Sequence, residues 1–391
     1  LLNMALIKQL LIIFLHFLLL GCVSFGGPAA HIGYFKSTFV DKLQWLKNDE
    51  YANLISLSQI LPGPGSSQIG FAIGLHKAGL WGGVAAFIGF TLPSFILMYS
   101  LASITDFSQS KPWLVGLIYG LKLLAVVVVL DAVISMFKSF CKTKVAISIA
   151  LSSAALLMLV SSPLWQIFVI LSSAAIGVLT SRTTEKSVPF KFDSNKFSYW
   201  PLLVFLVLFA LSLVSWSASY ANMLAPFIQS GSLVFGGGHV VLPLLQASLG
   251  DSISQDAFVF GYAAAQGVPG PMFTIATYIG GIMNPAVPLT GALLATLAIF
   301  LPGFLLVLAL RNVWQTLLAN CYFLAATRGI NAAVVGLLIA AFYNPILTSA
   351  ITDLFDLVWV IAGFLILKIF KPHICILIVI FITLGLISVN V

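Results

Sequence analysis

Apolar stretches follow one another almost without interruption from Lys8 to Val391, and nearly every one is long enough for a helix to cross a hydrocarbon core about 30 Å thick. Of the 391 residues, 60% are hydrophobic and 7% charged, whereas soluble domains carry about 25% charged residues. No water-soluble fold hides that much apolar surface. The chain therefore reads as an all-α, polytopic integral membrane protein with the lipid bilayer as its solvent.

The net charge of +7 does not point to nucleic acid. Most of the Lys and Arg sit in short joints between apolar runs, where they orient helices and form no basic face. Cys22, Cys141, Cys321 and Cys375 are scattered, without a CxxC pair or a His at ligand spacing. They indicate no disulfide framework and no metal site. The first apolar run ends in Gly-Gly-Pro with no small-residue cleavage site, so it is expected to stay in the protein.

The punctuation repeats. Phe25-Gly26-Gly27 is answered by Phe235-Gly236-Gly237, Pro62-Gly63-Pro64 by Pro269-Gly270-Pro271, and Leu92-Pro93 by Leu301-Pro302, in the same order and at nearly the same intervals. Each half reads as two broken segments followed by four continuous ones. In the first half these are 8–40, 49–76, 79–104, 112–138, 144–161 and 163–180; in the second, 221–249, 254–283, 287–310, 320–345, 350–369 and 373–390. A first repeat over 1–180 and a second over 218–391 are thus joined by 181–217, a polar loop plus one extra apolar run. One added crossing between two even-numbered units turns the second upside down, so the repeat is expected to be inverted.

Charge placement agrees. Lys138, Lys142, Lys144, Arg182, Lys186, Lys191, Lys196, Arg311, Lys368 and Lys371 all fall on one side, which is therefore expected to be cytoplasmic. The N-terminus is expected on that side and the C-terminus on the other. Lys36, Lys42 and Lys47 fit the cytoplasmic side if the broken segments dip and return, which gives nine crossings and not thirteen.

Glycine and proline stop a helix and leave backbone groups without partners. At membrane depth such backbone is tolerated only when buried in protein or lining a watered cavity. The four breaks are thus candidate walls of a substrate path, the plainer alternative being packing kinks. Polar residues gather beside them: Ser24, Gly26, Gly27, His31, Gln59, Gly63, Ser66, Ser67 and Gln68 in the first half, with Gly236, Gly237, Gly238, His239, Gln266, Gly270 and Thr274 in the second. A helix start carries about half a positive charge. Four converging starts would offset about two negative charges, which suits a tetrahedral dianion better than a cation.

Lys122 and Arg328 lie inside the fourth segment of each half and are candidate partners of that anion, since intramembrane charge defaults to function. Alternatively Lys122 snorkels to an interface and Arg328 closes a helix end. Asp131 is the sole carboxylate inside an apolar run, placed to carry a proton or to pair with a cation elsewhere. His31 and His239 flank the Gly-Gly breaks and titrate near neutrality, which suits proton coupling; hydrogen-bonding helix contacts are the plainer reading.

Ser24-Phe25-Gly26-Gly27-Pro28 with His31, then Pro62-Gly63-Pro64, repeated as Phe235-Gly236-Gly237-Gly238 and Val268-Pro269-Gly270-Pro271, resembles the chromate transporter family in its long, two-domain form. The likeness covers essentially the whole chain. It implies opposed homologous halves and export of chromate across the bacterial inner membrane, driven by the proton gradient as an antiporter and conferring resistance. Chromate and sulfate are both tetrahedral dianions, so a carrier of sulfate or another oxyanion is the alternative substrate reading. The second half departs where Gly238 stands in place of Pro28 and Val241 in place of His31. No G-x-S-x-G, HExxH, P-loop or Cys/His cluster appears, which argues against an enzyme and against a cofactor. A channel would also use broken helices, but the inverted repeat and the lack of charged rings favour a carrier.

Overall fold

Glycine and proline cut the first apolar region of the computed structural model into short helices that double back. The structure describes residues 4–104, 112–160, 162–181, 198–214, 219–313, 316–317 and 320–390. Helix α1 (Met4–Val23) stops at Gly26, and α2 (Gly27–Phe35) continues as a wider turn through Lys42. That return lies alongside α1: Phe17 contacts Phe35 and stacks on Phe39, and Trp45 meets His16 and Lys77. Helix α3 (Asn48–Ile60) then leads to the Pro-Gly-Pro break, and the first part of α4 (Gly65–Ile104) leads back from it. At Ala78-Gly79 α4 kinks sharply, with Gly79 at φ +63°. Beyond the kink it runs parallel to α1, Gln9 donating to the Lys77 carbonyl and Gly21 lying against Phe90.

The remaining helices are α5 (Pro112–Phe140), α6 (Lys144–Leu159), α7 (Pro163–Thr180), α8 (Tyr199–Ser212), α9 (Ser219–Leu233), α10 (Val241–Leu249), α11 (Gln255–Gly267), α12 (Ile275–Met283), α13 (Pro288–Leu310), α14 (Cys321–Ala341), α15 (Leu354–Phe370) and α16 (Ile374–Asn390). Among the described residues, six helices are long and apolar enough to cross a membrane: α1, α4, α5, α7, α13, and α14 with its extension to Ala350. The segments expected from the sequence reappear in order, with α8 as the joining run. Most of the polar loop at 181–198, with Arg182, Lys186, Lys191 and Lys196, lies outside the described residues, as do Asp106, Lys111 and Ser161.

The second half repeats the first upside down. The base of the first pair of hairpins, marked by Gln9, Trp45 and Lys77, sits at the start of the long arm of α4. The second pair has its base at the other end of that arm, where Gly281 lies against Ala102. The tips meet in the middle through two equivalent hydrogen bonds: Gly63 N donates to Val234 O (2.7 Å) and Gly270 N to Ser24 O (2.9 Å). Residues shifted by about 209 take matching places: Gly21 packs on Phe90 as Gly231 does on Ile299, and Gly74 on Gly82 as Gly280 does on Gly291.

The halves also exchange partners. Helix α5 packs against α15 and α16 of the second half, and α14 against α6 and α7 of the first. Small residues permit the approach in both places, Gly116 and Gly120 against Gly385 and Phe381, Gly177 and Gly329 against Ala325 and Ser173. Such small-residue contacts are how helices associate where lipid removes the hydrophobic drive between them. The two sequence repeats are interlocked and form no separate bodies.

Candidate functional site

The two Gly-Gly breaks face each other. Gly26 and Gly27 have φ of +98° and +71°, and Gly236 and Gly237 +79° and +133°; side chains with a Cβ are disfavoured there. Met272 lies between the breaks, and a Cβ on Gly238 would come 3.2 Å from its Sδ and 3.6 Å from Pro28 Cγ. The departure of Gly238 from the repeat thus has a reason: the space that a second proline ring would take is held by Met272 and Pro28.

Between the breaks opens a cavity of about 510 Å3. Its walls from the breaks are Gly26, Gly27, Pro28, Gln59, Gly236, Gly237, Gly238, His239 and Gln266. Helix α5 supplies Val128, Asp131, Ala132, Ser135, Met136, Ser139 and Phe140, and Leu367 and Ile374 complete it. Two helical starts point here, that of α2 and that of the turn leading into α10. Together they offer about one positive charge in place of the two expected from four starts.

The other break residues are spent on packing. Gly63 and Gly270 use their N–H groups to join the halves. Gln68 Nε2 donates to Pro62 O (2.9 Å) and Gly303 O (3.2 Å), and Thr274 Oγ1 to Pro271 O (2.8 Å). His31 is buried, its Nδ1 3.1 Å from Ser66 Oγ and its Nε2 3.2 Å from Ser24 O, with its ring edge-on to Phe90. The Ser24 and Ser67 hydroxyls are buried without hydrogen-bond partners. The structure therefore brings Gln59, Gln266, His239 and the Gly-Gly backbones together, and leaves Ser24, His31, Ser66, Ser67 and Gln68 behind the wall.

Neither basic residue picked from the sequence reaches this cavity. Lys122 pairs with Asp256 at 2.5 Å, at the start of α11. Arg328 is exposed on α14, one turn beyond Ala325, which touches Gly177 near the end of α7. The cation that comes next to the wall is Lys368, near the C-terminal end of α15: it is not itself a lining residue, but its neighbour Leu367 is, and its ammonium pairs with the lining carboxylate Asp131. Sequence reasoning placed Lys368 among the loop charges. The signal that pointed to it was Asp131 itself, a carboxylate in an apolar run that needed a cation. His239 Nδ1 lies 3.1 Å from the Tyr262 hydroxyl and 3.3 Å from Gln266 Nε2, and Tyr262 had no signal in the sequence.

A second cavity, about 360 Å3, lies against α14 and α10. Its wall from α14 and the turn that follows is Leu337, Ala340, Ala341 and Asn344, the counterparts of Val128, Asp131, Ala132 and Ser135 under the same shift. Met158 corresponds to Leu367. This cavity does not reach the breaks, for Pro243, Gln246 and Gly250 form its α10 side.

A family model described as chromate transporter matches residues 11–178 and again 221–386. The chain is 30% identical to an uncharacterised transporter of Methanocaldococcus jannaschii, over 84% of this chain and 82% of that one. It is 26% identical to a chromate transport protein of Pseudomonas aeruginosa, over 83% and 78% of the two chains. With a chromate transport protein of Cupriavidus metallidurans the identity is 25%, over 84% and 80%. No solved structure matches.

Proposed function

Since this chain belongs to the chromate transporter family, we propose that it is a secondary transporter that exports chromate across a bacterial inner membrane, coupled to the proton gradient, and so confers chromate resistance. The observation that carries this reading is the cavity where the Gly-Gly breaks of both repeats meet. Its walls offer backbone N–H groups, amides and two helix starts, the donors that a tetrahedral dianion needs.

The Lys-rich side takes the cytoplasmic place by the positive-inside rule. The cavity walls at Ser139, Phe140 and Leu367 adjoin Lys138 and Lys368 on that side, so we read the cavity as open to the cytoplasm. The hairpins that turn back at the breaks are, in this reading, re-entrant, which keeps the crossings at nine. Asp131 and His239 are the candidate proton carriers because both line the cavity. A carrier is preferred to a channel because the second cavity stops short of the breaks and does not join the first among the described residues.

The test is chromate accumulation by inside-out vesicles, with and without an imposed proton gradient and with excess sulfate. Saturable, gradient-dependent accumulation that sulfate leaves untouched supports a chromate exporter. Accumulation abolished by sulfate moves the substrate to tetrahedral dianions in general, and the absence of any accumulation rejects export.

A further inference from the structure

We propose that Lys368 is the cation that meets the transported dianion, and that Asp131 is the counter-ion that holds Lys368 while the cavity is empty and yields it when the anion enters. The proposal rests on the reading of the cavity as an anion site and names the residue that makes it one.

A carboxylate is a poor wall for an anion. Asp131 nonetheless lines this cavity, between the two wall residues Val128 and Ala132. The ion pair resolves the contradiction: with Lys368 on it, the wall is neutral, and with Asp131 displaced, the wall presents an ammonium. The two side chains are 43% and 33% exposed, while the Asp131 oxygen that makes the pair is buried beneath the ammonium. A dianion brings twice the charge of the carboxylate and four oxygens, so it can take the ammonium while also accepting from the break backbones.

Other charged or titratable groups do not fill the role. His239 lines the cavity, but its Nδ1 is engaged by Tyr262 and Gln266. Lys138 stands on α5 beside the wall residue Ser139, and His373 packs on Phe25 from the turn between α15 and α16. From α11 come Asp256, which is tied to Lys122, and the uncharged Tyr262, which is engaged by His239.

The pair is also dispensable for holding α15 in place. Near the other end of α15, the buried Asp356 accepts from the Tyr119 hydroxyl of α5, from the Thr352 N–H and hydroxyl, and from the Asp353 N–H. Helix α15 is thus fastened to α5 before Lys368 is considered. The symmetry-related contact of α14 with α6 makes the same point, since Asp131 and Lys368 correspond there to Ala340 and Leu159, and those two positions hold no ion pair.

Equilibrium dialysis of sodium chromate against the purified full chain tests the assignment. Loss of a charge-assisted contact predicts that Lys368→Ala weakens binding by about tenfold or more, with Lys368→Arg restoring most of it. Asp131→Asn removes the competitor and tightens binding several-fold. This opposition in sign is the signature, because a merely structural pair would weaken binding in both variants. Should Lys368→Ala not fold, the double variant Asp131→Asn/Lys368→Gln keeps the packing and should still bind about tenfold more weakly than the wild type. Unchanged affinity in Lys368→Ala, or weaker binding in Asp131→Asn, overturns the proposal alone. No binding by the wild type overturns the anion-site reading and the proposal with it.

Discussion

The two cavities are built on one plan and differ in chemistry. Both lie against the fourth segment of a repeat, on faces that superpose by a shift of 209 residues: Val128, Asp131, Ala132 and Ser135 on α5, Leu337, Ala340 and Ala341 on α14 with Asn344 just beyond it. The α5 cavity reaches the Gly-Gly breaks and is lined by a carboxylate that pairs with a lysine; the α14 cavity ends on Pro243 and Gln246, and its equivalent wall carries Asn344 but no charge. The fold therefore supplies the symmetry, and the charged pair has been placed on one side of it. A two-fold frame with one cavity open to the centre and its twin closed is what one end state of alternating access would look like.

The largest effects are expected where the halves are joined. A Cβ on Gly63, at φ +125°, would sit 2.9 Å from Gly303 Cα, which is backbone and has no room to give. At Gly270, with φ +100°, the nearest atoms are the Ser94 hydroxyl at 3.0 Å, which can move by giving up its bond to Thr91 O, and the Phe90 carbonyl oxygen at 3.2 Å. Gly63→Ala should cost about 2–4 kcal/mol in stability through strain and the disturbed hydrogen bond, and Gly270→Ala clearly less. Thermal unfolding in detergent measures both. Equal losses would show that the two tips carry the same load, despite their different neighbours.

The next variant makes the two cavities alike. Asp131→Ala with Lys368→Leu gives the α5 cavity the residues found at Ala340 and Leu159. Replacing both members of an ion pair by apolar groups is about neutral for stability, within roughly 1–2 kcal/mol. The melting temperature should hold while chromate transport in inside-out vesicles drops by at least about tenfold. A double variant that transports normally would mean that the polar difference between the cavities is idle.

Much of this architecture was legible in the chain. Apolar length and the three ordered motif pairs led to the helices, their breaks and the inversion, because bilayer thickness and backbone satisfaction leave few alternatives. What sequence could not reveal is which break groups face inward. Gly26 and Gly63 are equally good breakers, yet one lines the cavity and the other donates across the repeat boundary to Val234. Likewise His31 and His239 look equivalent beside their glycines, and only packing puts His31 behind the wall against Ser66 and Phe90. The exchange of α5 and α14 between halves was hidden for the same reason: Gly116, Gly177, Gly329 and Gly385 advertise close contacts without naming partners.

Accessibility sharpens the comparison without disturbing the fold. Ser135 and Asn344 are counterparts on the two walls. In a background free of the four native cysteines, Ser135→Cys should react with a membrane-impermeant thiol reagent from the Lys-rich side, and Asn344→Cys from the opposite side. Chromate should slow the first reaction by occupying the cavity. Reaction of both from the same side would contradict the opposed orientation of the cavities.

The smallest effect is expected at Lys122, and it separates depth in the membrane from membership of the site. Its ammonium lies 2.5 Å from Asp256, whose side chain is 53% exposed, and neither residue lines either of the two cavities described. A partly exposed pair of this kind contributes about 0–1 kcal/mol. Lys122→Gln keeps the length of the side chain and a donor for Asp256, so transport should stay within about twofold and stability within that same margin. Lys368→Gln, matched in chemistry, should lose transport. If the two lysines exchange places in this result, the substrate lies near the start of α11 and the cavity between the Gly-Gly breaks is not where it binds.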